Sequence, residues 1–420
     1  MTLSVRTFGC RLNQAEGAQI ESAFEATGFK RVKSGVPVDV AIVNTCTVTQ
    51  KAESECLKFM RHLRASHPDT CIVLTGCAVA TADLDGLRGI VDIIIPNAQK
   101  DELPAIVMRS LKCKLTSAPT ILKPHTQRAT IKVQDGCDCF CAYCIVPHAR
   151  GTPQSRPFDA CLAEARAMID AGFQEIIVTG CNTATYQDTG RNLVDLLKAL
   201  LALPRLGRLR LSSIEPKTLE HEIAQLMLTE PKLCRYLHLP IQSGSNATLN
   251  RMSRRYTIDY ARHTLDTIYE MLPDISIGTD LIAGFPGETE EDFAHSCALI
   301  EAYPFSKVHV FPYSERPKTA AEKMPDQISP SVRKSRARTL IQLAEKKRKA
   351  YLQRFVGKPV TLLIEKIDAK GCAYGWSAEY LPCEVNGLTR DRIRSLYTFT
   401  PIEIRDDALN AKTGATDILQ

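Results

Sequence analysis

Apolar residues in the first 110 positions fall into two alternating kinds of segment. Residues 5–8, 38–43, 71–74 and 91–95 are short, nearly continuous apolar runs rich in β-branched side chains, the pattern of strands covered on both faces. Between them lie longer amphipathic stretches, residues 14–26 and 51–65, with the spacing of helices. The alternation predicts βα units around a parallel sheet, in a domain spanning residues 1–115. Residues 112–128 contain Pro119 and Pro124, show little periodicity and read as a linker.

From residue 130 the alternation restarts and runs longer. Strands are expected at 130–133, 175–179, 208–212, 235–239, 274–282 and 307–311, with helices at 158–171, 193–203, 258–272 and 290–302 among them. Six βα units in succession suggest a partial, TIM-like (βα)6 barrel over residues 128–350. In such barrels the chemistry lies at the C-terminal ends of the strands. A helix over 331–355 leads into a tail of different character. Short strands at 360–364, 373–376 and 402–404 suggest a small β-barrel within residues 355–420. The fold class is therefore α/β, with an added β module and no internal repeat.

Composition changes this picture in two respects. The chain has 420 residues, 44% hydrophobic and 24% charged, which is ordinary for a globular protein. No apolar run reaches the roughly 18 residues of a membrane span, and the first ten residues lack a signal-peptide pattern. A cytosolic protein is expected, without membrane attachment. Sixteen cysteines are then unusual, because a reducing compartment favours metal or redox roles over disulfides. Cys161, Cys234 and Cys297 sit among apolar residues and read as small buried hydrophobes. The charge is also unevenly placed. Residues 331–355 hold nine Lys or Arg and one acid, a local +8 in a chain of net +6. Such a segment suits either a solvated helix face or contact with a polyanion.

The strongest chemical signal is Asp135-Gly-Cys-Asp-Cys-Phe-Cys-Ala-Tyr-Cys144. Cys137, Cys141 and Cys144 form C-x3-C-x2-C directly after an expected strand. Three thiolates so spaced can hold three irons of a [4Fe–4S] cube and leave the fourth open to a small molecule. A structural zinc site requires four ligands, and Cys139 offers either a fourth ligand or a competing spacing. A second set lies upstream. Cys10, Cys46 and Cys77 each follow an expected strand of one parallel sheet, so three distant cysteines face one crevice. Cys56 and Cys71 are close in sequence, but Cys71 begins a strand and should point away.

At these residues the chain resembles the methylthiotransferases, a branch of the radical S-adenosylmethionine enzymes, over nearly its whole length. The cluster loop continues as Ile145-Val-Pro-His-Ala-Arg-Gly151, followed by Ser155-Arg-Pro157. Further matching segments are Ser212-Ser-Ile-Glu-Pro216, His238-Leu-Pro-Ile-Gln-Ser-Gly-Ser-Asn246, Asp280-Leu-Ile-Ala-Gly-Phe-Pro-Gly-Glu-Thr289 and Phe311-Pro-Tyr-Ser-Glu-Arg-Pro317. Gly9-Cys-Arg-Leu-Asn-Gln-Ala-Glu16 looks most like the branch acting on N6-threonylcarbamoyladenosine in tRNA. Sister branches act on N6-isopentenyladenosine or on an aspartate of a ribosomal protein. Two features depart from the family pattern: Cys139 replaces a usually polar residue, and the tail is short. Gly375-Trp-Ser-Ala-Glu-Tyr-Leu-Pro-Cys-Glu-Val385 nevertheless resembles part of the family's RNA-binding β-barrel, the TRAM domain.

The resemblance implies two [4Fe–4S] clusters and S-adenosylmethionine as cofactors. Cys137, Cys141 and Cys144 would hold the cluster that binds S-adenosylmethionine and yields a 5′-deoxyadenosyl radical. That radical would remove hydrogen from C2 of the adenosine at position 37, beside the anticodon. Such a C–H has no usable acidity, so a general base would not serve. The cluster on Cys10, Cys46 and Cys77 would hold or deliver sulfur, and a second S-adenosylmethionine would supply the methyl group. Tyr143, Gly180, Glu215, Gln242 and Gly284 are the expected cofactor contacts. For RNA, Arg150 and Arg156 are expected to hold phosphates, and Lys346, Lys347, Arg348 and Lys349 to grip the anticodon stem. Implied partners are tRNA, a sulfur donor and a one-electron donor such as flavodoxin or ferredoxin. The rival readings are a sulfur-inserting enzyme for another base or a protein, an iron–sulfur or zinc RNA-binding protein without catalysis, and a simple electron carrier.

Overall fold

The computed structural model describes residues 1–81, 85–112, 127–219 and 221–412. Most of the expected linker lies outside the described residues. The described residues form two compact units. One draws on Met1–His125, Lys132–Ser155 and Ser314–Lys323, the other on Thr126–Ile131, Arg156–Tyr313 and Met324–Gln420.

The first unit is built on a five-stranded parallel sheet in the order Lys30–Arg31, Thr2–Thr7, Val40–Thr45, Cys71–Gly76, Ile93–Ile94. The continuous apolar runs are explained by helices on both faces. Val40 and Ile42 pack with Ile20 and Phe24 of Arg11–Ala26 and with Leu103 and Val107 of Leu103–Ser110. Ala41 and Val43, pointing the other way, pack with Met60 and Leu63 of Gln50–Ser66. Burying each of the larger of these side chains contributes roughly 1.5–3 kcal/mol. Thr49 starts that last helix by accepting the Ala52 amide at 3.2 Å.

The second unit contains two three-stranded sheets. Their orders are Arg208–Leu211, Glu175–Thr179, Ala129–Lys132, and Tyr236–His238, Ser276–Ala283, Lys307–Pro312. Parallel bridges Leu209↔Leu233 and Ser213↔His238 follow on from Arg208–Leu211 towards the next strand. The expected helices are present as Phe158–Asp170, Leu193–Leu201, Ile258–Met271 and Glu290–Ala302. Two start with capping boxes, Asn192 with Asp195 and Thr289 with Asp292.

The basic helix is Pro330–Gln353. The tail beyond it is a six-stranded sheet rather than three short strands. Its order is Leu396–Phe399, Val360–Ile367, Cys372–Ser377, Pro382–Asn386, Ala408–Lys412, Glu403–Arg405. The helix end belongs to its core, with Tyr351 and Leu352 packed against Leu362, Ile364 and Val385.

Candidate active site

The first unit gathers the N-terminal cysteines by strand register. Thr7 pairs with Asn44, and Asn44 with Thr75, so three neighbouring strands end level. Cys10 then caps the helix Arg11–Ala26, Cys46 follows Val40–Thr45, and Cys77 opens the turn Cys77–Ala80. Burial, against the opposing Val48 amide and helped by the nearby thiols of Cys10, Cys77 and Cys56, pushes the Cys46 thiol up to about 12. Burial likewise raises Cys77. Cys56 stands close enough that the Cys46 backbone amide faces its sulfur. Cys71 opens its strand, pairs with Val40 and is partly buried against the core on that face of the sheet. Gly9 has φ +93°, and a Cβ there would lie 2.6 Å from the Cys46 sulfur. Asn13 fixes the crevice floor, donating to the carbonyls of Phe8 at 2.9 Å and Thr45 at 2.8 Å. Arg316, from the segment that the family resemblance singled out, donates to Thr47 at 2.7 Å and pairs with Glu53.

The cluster loop belongs to the same unit. Its base is closed by antiparallel pairing of Gln134–Asp135 with Gln154–Ser155. Inside it the Cys137 amide donates to Gly151 O at 3.1 Å and the Cys144 amide to Cys141 O at 2.8 Å. Cys137, Cys139, Cys141 and Cys144 are all half-buried, as is Tyr143. Cys139 lies beside Cys137, with the donor atoms of Cys137, Asp138 and Cys139 within 4.8 Å of one another. A hydrogen bond from Cys139 holds the Cys137 thiol below its ordinary value despite burial.

Arg150 does not face solvent for a phosphate. Its side chain is 2% exposed, and its guanidinium is used up inside the unit. Nη1 donates to Glu16 and to Asp135, each at 2.9 Å. Nη2 donates to Asn13 Oδ1 at 2.6 Å and to Glu16 Oε2 at 3.0 Å. Nε donates to the Cys77 sulfur at 3.2 Å. Lys132 adds bonds to Glu16 at 3.0 Å and to Asp135 at 3.1 Å, and Lys100 pairs with Glu16. Burial opposes the charge on Glu16, but Lys100, Arg150 and Lys132 outweigh it and hold the carboxyl well below its usual range. Glu16, Lys100, Lys132 and Asp135 had no role of their own in the sequence reading, because Glu16 meets Lys100, Lys132 and Arg150 across 84 to 134 residues of chain.

In the second unit the expected cofactor contacts lie just beyond strand ends. Gly180 follows Glu175–Thr179, and Glu215 follows Arg208–Leu211. Gln242 has φ +77°, and its backbone is held by Asp280 O at 2.8 Å and Ile282 N at 2.9 Å. Glu215 pairs with Arg254, yet burial leaves its carboxyl above the ordinary value. Gly284 has φ +72°, and a Cβ there would lie 2.5 Å from Arg333 Cγ, so on that side the bare glycine lets its turn pack against the basic helix. His238, Asp280 and His309 form a further cluster, with His238 Nε2 on Asp280 Oδ1 at 2.9 Å. His309 also stacks on Phe311 at 6.4 Å, from alternate positions of one strand.

Residues 131–300 match the Radical SAM superfamily and residues 2–95 the uncharacterized protein family UPF0004. The threonylcarbamoyladenosine tRNA methylthiotransferase MtaB of Bacillus subtilis is 31% identical, over 93% of this chain and 92% of that protein. This chain belongs to the radical SAM tRNA methylthiotransferases. A tRNA-2-methylthio-N(6)-dimethylallyladenosine synthase of Cereibacter sphaeroides is 32% identical over 87% of both chains. The fold also resembles the radical S-adenosylmethionine methyltransferase TsrM from Kitasatospora setae, solved with cobalamin and a [4Fe–4S] cluster bound. TsrM aligns at TM-score 0.56 and 14% identity over 74% of this chain and 76% of that one.

As a methylthiotransferase the protein is a sulfur-inserting enzyme that uses S-adenosylmethionine and [4Fe–4S] clusters. The donor sets fit such clusters. Both sets are sulfur-rich, and thiolates are the ligands that hold iron–sulfur cubes. A side chain at position 9 would press on the buried Cys46 sulfur, a clash that the bare Gly9 avoids.

The methylthiotransferase's basic residues divide into two groups. Arg333 and Arg336 are buried, Arg336 on Glu288 at 2.7 Å and also on Glu290. Arg354 pairs with Asp274 at 2.9 Å, and Arg156 pairs with Glu164. Lys347 bonds Glu301 O, and Arg348 reaches Asp407 O at 3.4 Å. Lys334, Arg338, Lys346 and Lys349 are exposed. Much of the helix's charge thus serves packing, and a smaller exposed set faces solvent. Among the described residues, no helix is long and apolar enough to cross a membrane.

Proposed function

We propose that this enzyme converts N6-threonylcarbamoyladenosine at position 37 of tRNA into its 2-methylthio derivative. The observation that carries the reading is the gathering of Cys10, Cys46 and Cys77 in the same compact unit as the loop of Cys137, Cys141 and Cys144. The base substrate rests on the segment Gly9–Glu16 together with the activity named for the Bacillus subtilis relative. The Cereibacter sphaeroides relative, at similar identity, supports N6-dimethylallyladenosine as the second reading.

In this reading Cys137, Cys141 and Cys144 hold the cluster that serves S-adenosylmethionine, and Cys10, Cys46 and Cys77 hold the second. When bound, these groups supply radical cleavage of a C–H bond and the sulfur and methyl to be inserted. The chain's own residues orient and shield them. Asn13 sets the distance between the strand end before Cys46 and the turn before Cys10. The backbone around Gln242, Gly180 and the Glu215 carboxyl are assigned to S-adenosylmethionine. The sheet from Val360 to Lys412 is assigned to RNA, with Lys346 and Lys349. Electrons come from a flavodoxin- or ferredoxin-like donor and sulfur from a separate donor.

Replacing Lys334, Arg338, Lys346 and Lys349 by glutamine should weaken tRNA binding and flatten its dependence on salt. Each lost phosphate contact lowers the slope of log K against log salt by roughly 0.7–0.9. An unchanged slope in titrations between 50 and about 200 mM salt would remove the helix from the RNA interface. The substrate itself is tested by nucleoside mass spectrometry of tRNA from cells with and without the protein. Loss of 2-methylthio-N6-threonylcarbamoyladenosine with build-up of its precursor is expected. Loss of the 2-methylthio dimethylallyl derivative instead would move the assignment to the second reading.

A further inference from the structure

All five N–H groups of Arg150 have acceptors within the first unit, and one of them is a cysteine sulfur. Four bonds fix the guanidinium: Nη1 spans Glu16 and Asp135, while Nη2 spans Asn13 and Glu16. The fifth, Nε–H, is thereby aimed at the Cys77 sulfur at 3.2 Å. Arginine cannot lose its charge in a protein, so a permanent cation and a directed donor face that sulfur. The side chain is 2% exposed, where water does little to screen the charge. Glu16 is itself 3% exposed and is braced by Lys100 and Lys132 as well, so the guanidinium has little room to turn.

We propose that Arg150 is a positioning residue that sets the reduction potential of the cluster held by Cys10, Cys46 and Cys77, through its N–H bond to the Cys77 sulfur. The inference rests on the assignment of those three cysteines in the proposed function. Hydrogen bonds and nearby positive charge stabilise the more negative, reduced state of an iron–sulfur cluster and raise its potential. The same guanidinium binds Asp135, which opens the other cysteine loop and also accepts the Gly136 amide at 2.8 Å. One side chain therefore holds a ligand of one set and the base of the loop that carries the other. A phosphate-binding arginine would leave donors facing solvent, whereas this one spends all of them inside.

The test is a redox titration followed by electron paramagnetic resonance. The background is the full-length C137A/C141A/C144A variant, which keeps only the N-terminal cluster. Adding R150Q should leave about four irons bound and move the midpoint to a more negative potential. R150K, which keeps the charge but cannot place a donor on the sulfur and hold the other four bonds, should fall between. An R150Q midpoint equal to that of the background, with iron retained, overturns the proposal and leaves Arg150 as scaffold. If R150Q takes up no iron, R150K decides, and a midpoint equal to the background overturns the proposal again. If the background variant is folded but binds no iron, the assignment of Cys10, Cys46 and Cys77 fails, and this inference falls with it.

Discussion

Cys141→Ala should abolish methylthiolation and remove about four of the eight irons expected for two cubes, whereas Cys139→Ala should retain both. The two residues lie in one loop and look alike in sequence, so the contrast is a sharp one. Cys141 and Cys144 share a turn closed by the Cys144 amide on Cys141 O at 2.8 Å, and Cys137 is fixed by its amide on Gly151 O at 3.1 Å. Those bonds hold the backbone at the three positions of the C-x3-C-x2-C spacing. Cys139 instead directs its thiol to the Cys137 sulfur. Its removal costs one weak hydrogen bond and leaves the three-thiol set whole. Iron and sulfide analysis under anaerobic conditions, beside nucleoside mass spectrometry of the tRNA, checks both variants. Retained iron in Cys141→Ala with iron lost from Cys139→Ala would reverse the ligand assignment. Zinc in place of iron in the unmodified protein would sink the two-cluster reading altogether.

Glu175→Gln should destabilise the protein by about 3–5 kcal/mol, the usual cost of removing one partner from a buried ion pair. Glu175 is fully buried at the first position of its strand. It pairs with Arg208 and, at 2.8 Å, with Arg210. The two arginines use their remaining donors on carbonyls of the tail sheet and its approaches. Arg208 bonds Thr361 O at 3.1 Å and Trp376 O at 2.8 Å, and Arg210 bonds Ser377 O at 2.8 Å and Ala378 O at 2.9 Å. The carboxylate is thus shared between two guanidinium groups that tie the tail to the strands. Burial opposes its charge, but Arg210 and Arg208 outweigh that and bring its pKa from 4.5 to about 2. With a folded value below the unfolded one, the stabilisation is fully present above about pH 4.5 and is lost as the pH falls towards 2. The stability gap between wild type and Glu175→Gln, measured by urea unfolding, should therefore be widest near neutrality and narrow below pH 4.5. A gap of the same size at pH 3 and pH 7 would show that packing, not charge, accounts for it.

The periodicity of the first 110 residues was legible because a parallel sheet covered on both faces demands unbroken apolar runs. Val40–Thr45 and Cys71–Gly76 satisfy that demand directly. The C-x3-C-x2-C loop was legible because its three cysteines are local in the chain, and the structure keeps them in one loop closed by the pairing of Gln134–Asp135 with Gln154–Ser155. The tail was less legible. Pro382–Asn386 is short and opens on a proline, and its parallel partner Ala408–Lys412 follows only after the strands Leu396–Phe399 and Glu403–Arg405.

By itself, then, the sequence determined the βα succession and the family, which follow from local spacing and short motifs. Only the tertiary structure decided what the charged residues do. Arg150 reads as a phosphate ligand from its place after the cluster loop, yet it is buried against Glu16, Asp135 and Cys77. Arg333 and Arg336 read as part of a polyanion-binding face, yet they pack against Gly284 and Glu288. The physical reason is common to both. A buried charge is tolerated only where counter-charges or hydrogen-bond acceptors meet it, and Glu16 lies 134 residues from Arg150 and Glu288 48 residues from Arg336, distances over which sequence pattern carries no signal.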